Sequence, residues 1–386
     1  MTAGLTGVGS RSAANFSDLI PNIGENARIY LRPIGLSRAL ESGRAEGDAP
    51  FGWRLCGGDA VFDRCQVLIR DGDEVSTVTA HLAQVLDWSE RQGAAHRDRI
   101  TRLAHRLVVK RQPFAGLALD RPRIMGVINV TPDSFSDGGA FLDPRSAIRH
   151  GQALAAAGAD ILDIGGESTR PGATPVSQPD ELGRVLPVIR GLAGADAVLS
   201  IDSRKAGVMA AALTAGAGII NDVTALSFDP QSLTVAAASK TPVILMHSRG
   251  DPATMQAAPR YIHAPLDVYD ELEARIVLCE RAGIPRGRIA VDPGIGFAKT
   301  TIHNVEILRT LSLFHGLGCA VVLGASRKSF IGRIIGADDP ERRLAGSLAA
   351  ASAALDQGIQ ILRVHDVEET RQLVEVWREL NKTVYA

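Results

Sequence analysis

Two rhythms of hydrophobic and polar positions divide this chain of 386 residues. From residue 123 onward, short apolar runs alternate with Ala- and Leu-rich stretches of helical period. The runs predict strands over Arg123–Asn129, Asp160–Gly165, Val198–Asp202, Ile219–Asp222, Pro242–His247, Ile289–Asp292, Ala320–Ser326 and Ile361–Val364. Unbroken apolar runs of this kind suit strands buried on both faces, as in a parallel sheet. Patterns such as Pro144–Ala157 and Arg204–Ala215 predict the helices between them. Eight strand–helix units in about 260 residues match the size of a (β/α)8 TIM barrel. A doubly wound sheet is the alternative, but it usually has fewer strands in this length. The Gly-rich turn of a dinucleotide fold is also missing after the first strand.

Before residue 115 the pattern is different. Residues 1–25 are small and polar and read as a disordered or weakly held tail. Arg28–Arg32 and Ala60–Arg70 partly alternate as strands do, with Gly57-Gly58 as punctuation. Residues 76–112 read as helical and end in a basic stretch from Arg102 to Arg111, expected to be a solvated charged face. Pro113 to Pro122 reads as the junction. The expected organisation is a small N-terminal α+β extension over residues 1–115 and a barrel over 116–386.

Each barrel strand ends in a polar residue or runs into a polar loop. In order these are Asn129; Asp163 with Gly165-Gly-Glu-Ser-Thr-Arg-Pro-Gly172; Asp202; Asn221-Asp222; His247; Asp292-Pro-Gly-Ile-Gly-Phe297; Ser326-Arg-Lys-Ser-Phe-Ile-Gly332; and Arg363 with His365-Asp366. One buried Asp at a strand end is as readily a helix cap. For Asp222 a cap is the preferred reading, and for Asp163 the orienting of neighbours. Eight polar strand ends together are costly to bury unless they converge on a polar ligand. Asp202, Asn221 and Asp292 suit a flat heterocycle with an amino–imino edge. Lys328, Arg363 and His365 are cationic or potentially so, and with Asn129 they suit a phosphate or diphosphate. The loops 130–143 and 165–179 are long enough to close over a second substrate, and Thr169 and Arg170 on the latter suit a carboxylate.

Composition narrows the field. Lys plus Arg number 42 against 43 for Asp plus Glu, which gives no bulk electrostatics for nucleic acid. Cys56, Cys65, Cys279 and Cys319 are scattered without a metal-finger spacing, as expected of reduced thiols in a cytoplasmic protein. No signal-peptide pattern and no membrane-spanning run are evident. There is no G-x-S-x-G elbow, no Cys–His pair and no H-E-x-x-H, so catalysis is expected from positioning and charge stabilisation.

From about residue 123 to 380 the chain closely resembles the dihydropteroate synthase family of folate biosynthesis. Seven blocks carry the likeness in order: Ile128-Asn-Val-Thr-Pro-Asp-Ser-Phe-Ser-Asp-Gly-Gly139, Gly166-Glu-Ser-Thr-Arg-Pro-Gly172, Ser200-Ile-Asp-Ser203, Ile220-Asn-Asp-Val223, Asp292-Pro-Gly-Ile-Gly-Phe297, Ser326-Arg-Lys-Ser-Phe-Ile-Gly332 and Arg363-Val-His-Asp366. The resemblance implies a TIM barrel joining hydroxymethyl-dihydropterin diphosphate to p-aminobenzoate, with dihydropteroate and diphosphate as products. It implies that Asp202, Asn221, Asp292 and Lys328 hold the pterin, with Met246 and Phe297 as apolar walls. It assigns Asn129 to a magnesium ion on the diphosphate and Arg363 and His365 to diphosphate oxygens. Thr169, Arg170, Pro171 and Ser329 would shape the aminobenzoate pocket. A homodimer is implied, in which the Ala-rich Leu344–Leu355 is either an interface helix or part of the monomer core. A pterin-binding methyltransferase and an inactive pterin-binding paralogue are the alternatives. Residues 1–115 lie outside the resemblance and are expected to pack on the barrel or support assembly.

Overall fold

The computed structural model describes residues 23–38, 52–131, 144–168, 174–250, 255–256 and 259–381. Among these, the N-terminal strands are β1 (Arg28–Ile34), β2 (Ser37–Arg38), β3 (Trp53–Arg54), β4 (Ala60–Phe62), β5 (Arg64–Asp71) and β6 (Glu74–His81). They form two small sheets, ordered β1-β5-β6 and β2-β4-β3. Helices α1 (Leu82–Ser89) and α2 (Ala94–Val108) follow. The barrel strands are β7 (Arg123–Asn129), β8 (Ile161–Gly165), β9 (Val198–Asp202), β10 (Ile219–Asp222), β11 (Val243–Met246), β12 (Ile289–Asp292), β13 (Ala320–Leu323) and β14 (Ile361–Val364). Between and after them lie α3 (Pro144–Ala156), α4 (Gln178–Gly191), α5 (Ala206–Thr214), α6 (Ser232–Ser239), α7 (Ala264–Arg281), α8 (Thr301–Arg309), α9 (Ser329–Ile335), α10 (Leu344–Leu355) and α11 (Val367–Leu380). The eight strands from β7 to β14 are parallel and close on themselves through β14 and β7. This is the (β/α)8 barrel read from the sequence.

Closure makes two cores. The outward strand faces pack against the helices. The lower barrel interior holds Met125, Ile161, Ile219, Ile244, Ala290, Ala320, Val322 and Ile361. Phe114 caps that layer from below, and Phe114 and Leu117 exchange two backbone hydrogen bonds of 2.9 Å. The junction is therefore a plug in the bottom of the barrel, opposite the polar strand ends. Burying Phe114 alone contributes about 1.5–3 kcal/mol.

Several expectations need correction. Residues 76–112 do not begin helical: Glu74–His81 pairs with Arg64–Asp71 as an antiparallel hairpin around Gly72, whose φ is +60°. The β-branched Val75, Thr77, Val78 and Thr79 favour the strand, and the hairpin supplies the partner. The basic stretch does not simply face solvent. Arg102 is exposed, but Arg111 is buried and donates to the carbonyls of Cys319 and His315 at 3.1 and 2.9 Å. The predicted seventh strand stops at Leu323, and Ser326 instead turns toward His365. In Leu344–Leu355, Ser347, Ala351, Ala354 and Leu355 are buried within the monomer, in keeping with one of the two readings the sequence left open. Residues 1–22, within the expected tail, lie outside the described residues.

The N-terminal unit docks on α7 and the 3-10 turn Leu311–Leu317 through polar contacts. Tyr30 donates to Asp270 at 2.8 Å, and Ser312 donates to the Pro33 carbonyl at 2.9 Å. Arg28, Arg99 and Arg106 converge on the nearly buried Glu273 at 2.6, 3.3 and 3.1 Å. Burial opposes ionisation of Glu273, but the surrounding arginines hold its pKa below the usual carboxylate value.

Candidate active site

Register sets the site. In the parallel ladder Asp202 of β9 pairs with Asn221 of β10, and Met246 of β11 with Asp292 of β12. Four side chains proposed for one heterocycle thus stand at the ends of four consecutive strands. On the far side, Arg363 of β14 reaches back across the mouth. Its Nε donates to Asp163 Oδ2 at 2.7 Å and its Nη2 to Asp202 Oδ2 at 2.7 Å. Asp163 also accepts from Asn221 Nδ2 at 3.0 Å. One fully buried carboxylate therefore orients both a cation and an amide. Burial, and then the charge of Asp163, push the Asp202 carboxyl up to about 7, while Arg363 opposes the rise.

Asp222 is different. It is buried and accepts from Thr224 N and Leu226 N at 2.7 and 3.0 Å and from the Thr224 hydroxyl at 2.7 Å. It caps the turn after β10, as the sequence reading preferred.

The loop after β12 is built on two glycines with left-handed backbone, and at the first of them a Cβ has no room. Gly294 has φ +69°, and a Cβ there would lie 1.9 Å from the His247 carbonyl oxygen. Gly294 N donates to Asp292 Oδ1 at 2.7 Å. Gly296 has φ +83° and lies against the Lys328 stem, where a Cβ would be 3.1 Å from Cδ. The turn sets the Phe297 ring beneath the Lys328 ammonium, 4.1 Å from Nζ to centroid, a cation–π contact. Burial raises the Asp292 carboxyl, and the Gly294 amide and Lys328 oppose that rise.

His365 sits beyond β14. Its amide donates to Ser326 Oγ at 3.2 Å, and its Nδ1 lies 3.1 Å from the same oxygen. A Ser326 hydroxyl that donates to Nδ1 leaves the proton on Nε2. Burial, then the nearby Arg363, push His365 down to about 3. The sequence left its charge open; the structure makes it a neutral donor. Arg327, at φ +57°, is pinned by Asp366. Ser329 is exposed at the start of α9, and Asn129 closes β7 half-exposed. Thr169, Arg170 and Pro171 lie outside the described residues, as does most of the loop 130–143.

Two polar clusters escaped the sequence reading. Glu167 accepts from Arg204 and Lys205, each at 2.9 Å, and Lys205 also reaches the fully buried Glu181 at 2.5 Å. Burial would raise Glu167, but these cations hold it down at about 2. In the second cluster Lys299, 1% exposed, lies 2.9 Å from His247 Nδ1. Charged residues two to seven positions past a strand end read as solvated loop, so spacing carried no signal for either cluster.

The fold and the strand-end residues define a pterin-binding barrel enzyme: a model of the family described as pterin binding enzyme matches residues 125–365. A dihydropteroate synthase of Escherichia coli strain K12 is 45% identical over 271 residues, covering 70% of this chain and 94% of that one. One from Synechocystis is 44% identical and covers 67% of this chain and 91% of its own. The Xanthomonas albilineans dihydropteroate synthase solved with 4-aminobenzoic acid shares 47% identity at a TM-score of 0.67, over 71% of this chain and 98% of that one. The same organism's enzyme in complex with 7,8-dihydropteroate gives 45% and 0.63, over 69% and 96%. The chain belongs to the dihydropteroate synthase family.

Proposed function

We infer that this protein condenses 6-hydroxymethyl-7,8-dihydropterin diphosphate with p-aminobenzoate, giving 7,8-dihydropteroate and diphosphate. The observation that carries the reading is the meeting of Asp202, Asn221 and Asp292 with Lys328 over Phe297 at one barrel mouth, with Arg363 opposite. Family relatives that bear the synthase name set aside the methyltransferase alternative.

The pterin lies with its amino–imino edge on Asp202, Asn221 and Asp292 and its ring against Met246 and Phe297. Lys328 donates to a ring acceptor. Arg363 and the Nε2–H of His365 receive the diphosphate. The methylene C–O bond breaks, and its electron pair leaves with diphosphate. The p-aminobenzoate nitrogen then donates its lone pair to the methylene carbon and gives up a proton to solvent. Thr169, Arg170, Pro171 and Ser329 shape the aminobenzoate pocket. No protein nucleophile is needed.

Asn129 brings a hard oxygen donor to the mouth. Among the described residues no group of three or more His, Cys, Asp or Glu side chains is placed to hold a metal ion. That donor set fits magnesium held largely by substrate phosphates, with Asn129 as the protein ligand. When bound, the ion neutralises charge on the leaving group.

Diphosphate release from the two substrates, assayed with and without magnesium, tests the reading. Release that needs both substrates and magnesium is expected. No release, or release without the amine, overturns it.

We also propose a homodimer in the cytoplasm. Ile302 on α8 and Ile334 and Ile335 on α9 are exposed side chains on adjacent helices, an apolar face that pairing covers. No helix among the described residues is long and apolar enough to cross a membrane, and all four cysteines are free and buried. Sedimentation of the protein and of Ile302→Glu tests the dimer; two monomers would refute it.

A further inference from the structure

Lys299 is almost fully buried, yet no step of the condensation uses it. Its Nζ lies 2.9 Å from His247 Nδ1 and donates to the Phe297 carbonyl at 3.0 Å. His247 is itself buried, and its Nε2 lies 3.0 Å from Glu271 Oε2 on α7. Glu271 accepts from Nε2–H, so Nδ1 presents its lone pair and Lys299 is the donor. Burial, then the charge of Lys299, lower the His247 pKa to about 4 and keep the ring neutral. The chain of groups runs from α7 to the backbone of the loop that carries Phe297. Ala298, next in sequence, has φ +49°, a strained backbone that persists only when its surroundings hold it.

The same face of α7 is gripped from the other side by the N-terminal unit. Arg70 at the end of β5 donates to Asp267 at 2.7 Å and lies 3.6 Å from Asp270. Asp267 and Glu271 are four residues apart and share one helix face. Arg249 ties them together: Nε donates to Glu271 at 2.8 Å, Nη2 lies 3.9 Å from Asp267, and its guanidinium stacks over Tyr261 at 4.1 Å.

We propose that the N-terminal unit is a positioning device for the pterin pocket: Arg70 sets α7, Glu271 on α7 sets His247, and Lys299 passes that placement to Phe297 beneath Lys328. Arg70, Glu271, His247 and Lys299 are positioning residues that touch no substrate. The inference rests on the reading of Phe297 and Lys328 as the pterin wall.

The test uses the full-length protein and Arg70→Ala, Glu271→Gln and Lys299→Met. Pterin diphosphate affinity is measured by calorimetry, p-aminobenzoate KM by turnover, and melting temperature by calorimetry. Lys299→Met is expected to weaken pterin binding by about tenfold, since it removes the link between His247 and the Phe297 carbonyl, a loss on the scale of one or two internal hydrogen bonds. Arg70→Ala is expected to weaken it by about two- to fivefold, the scale of a modest coupling. The p-aminobenzoate KM stays unchanged in both. Unchanged pterin affinity in Arg70→Ala and Glu271→Gln overturns the proposal, even if Lys299→Met does not fold. So does an equal loss for both substrates that tracks a lowered melting temperature. A wild-type protein that binds pterin but releases no diphosphate would refute the reaction instead, and the affinities would still decide this point.

Discussion

Asp163 and Arg363 meet at 2.7 Å across the barrel mouth, although 200 residues separate them in the chain. Asp163 is fully buried and holds Asn221 as well. Asp163→Ala leaves the part-buried Arg363 guanidinium with Asp202 alone and the buried Asn221 amide without this acceptor. Its unfolding free energy, measured by denaturant titration, is expected to fall by about 3–5 kcal/mol. Asp163→Asn keeps the shape but not the charge and should fall between the two. An unchanged midpoint in Asp163→Ala would show that Arg363 is held by other means.

Lys328, the residue we propose holds the pterin, stands on the loop after β13, and its stem lies on Gly296. Lys328→Ala is expected to lower kcat/KM by about 1.5–3 kcal/mol, the scale of a hydrogen bond to a charged group. Initial rates of diphosphate release at subsaturating pterin diphosphate measure this. A wild-type value would remove Lys328 from the site.

Gly294 combines a left-handed backbone with a contact no methyl can enter, since a Cβ would lie 1.9 Å from the His247 carbonyl oxygen. Gly294→Ala therefore either displaces that carbonyl or opens the turn. A loss of more than about 1 kcal/mol of stability is expected, together with weaker pterin binding. Thermal unfolding and titration calorimetry on the same sample report both. A variant as stable as wild type would contradict the geometry.

Stability should rise with pH just above neutrality because of Lys299. Burial lowers its pKa to about 7 from the ordinary value of 10.5. Between those values the unfolded chain binds a proton that the folded chain does not, so raising the pH favours the folded state. From pH 7.0 to 8.5 the gain is at most about 2 kcal/mol, at about 1.4 kcal/mol per pH unit. In Lys299→Met this part of the gain is lost. Urea unfolding of both proteins at the two pH values gives the difference, and parallel curves would mean that Lys299 is charged in the fold.

Much of the barrel was legible along the chain because each strand is buried on both faces. Arg123–Asn129, Val198–Asp202, Ile219–Asp222, Ile289–Asp292 and Ile361–Val364 have the bounds their apolar runs predict. The N-terminal unit was harder to read. Glu74–His81 becomes a strand only because Arg64–Asp71 lies beside it, and the plug at Phe114 has meaning only once a barrel exists to close.

The sequence by itself determined the barrel, its polar strand ends and the family, since these depend on local periodicity and ordered motifs. The tertiary structure decided what those residues are chemically. His365 is neutral because burial, and then Arg363, oppose its charge, and burial, then Asp163, raise the Asp202 carboxyl. Lys299 and Arg70 gained their places only there as well, since low dielectric and contacts between distant segments leave no trace in spacing.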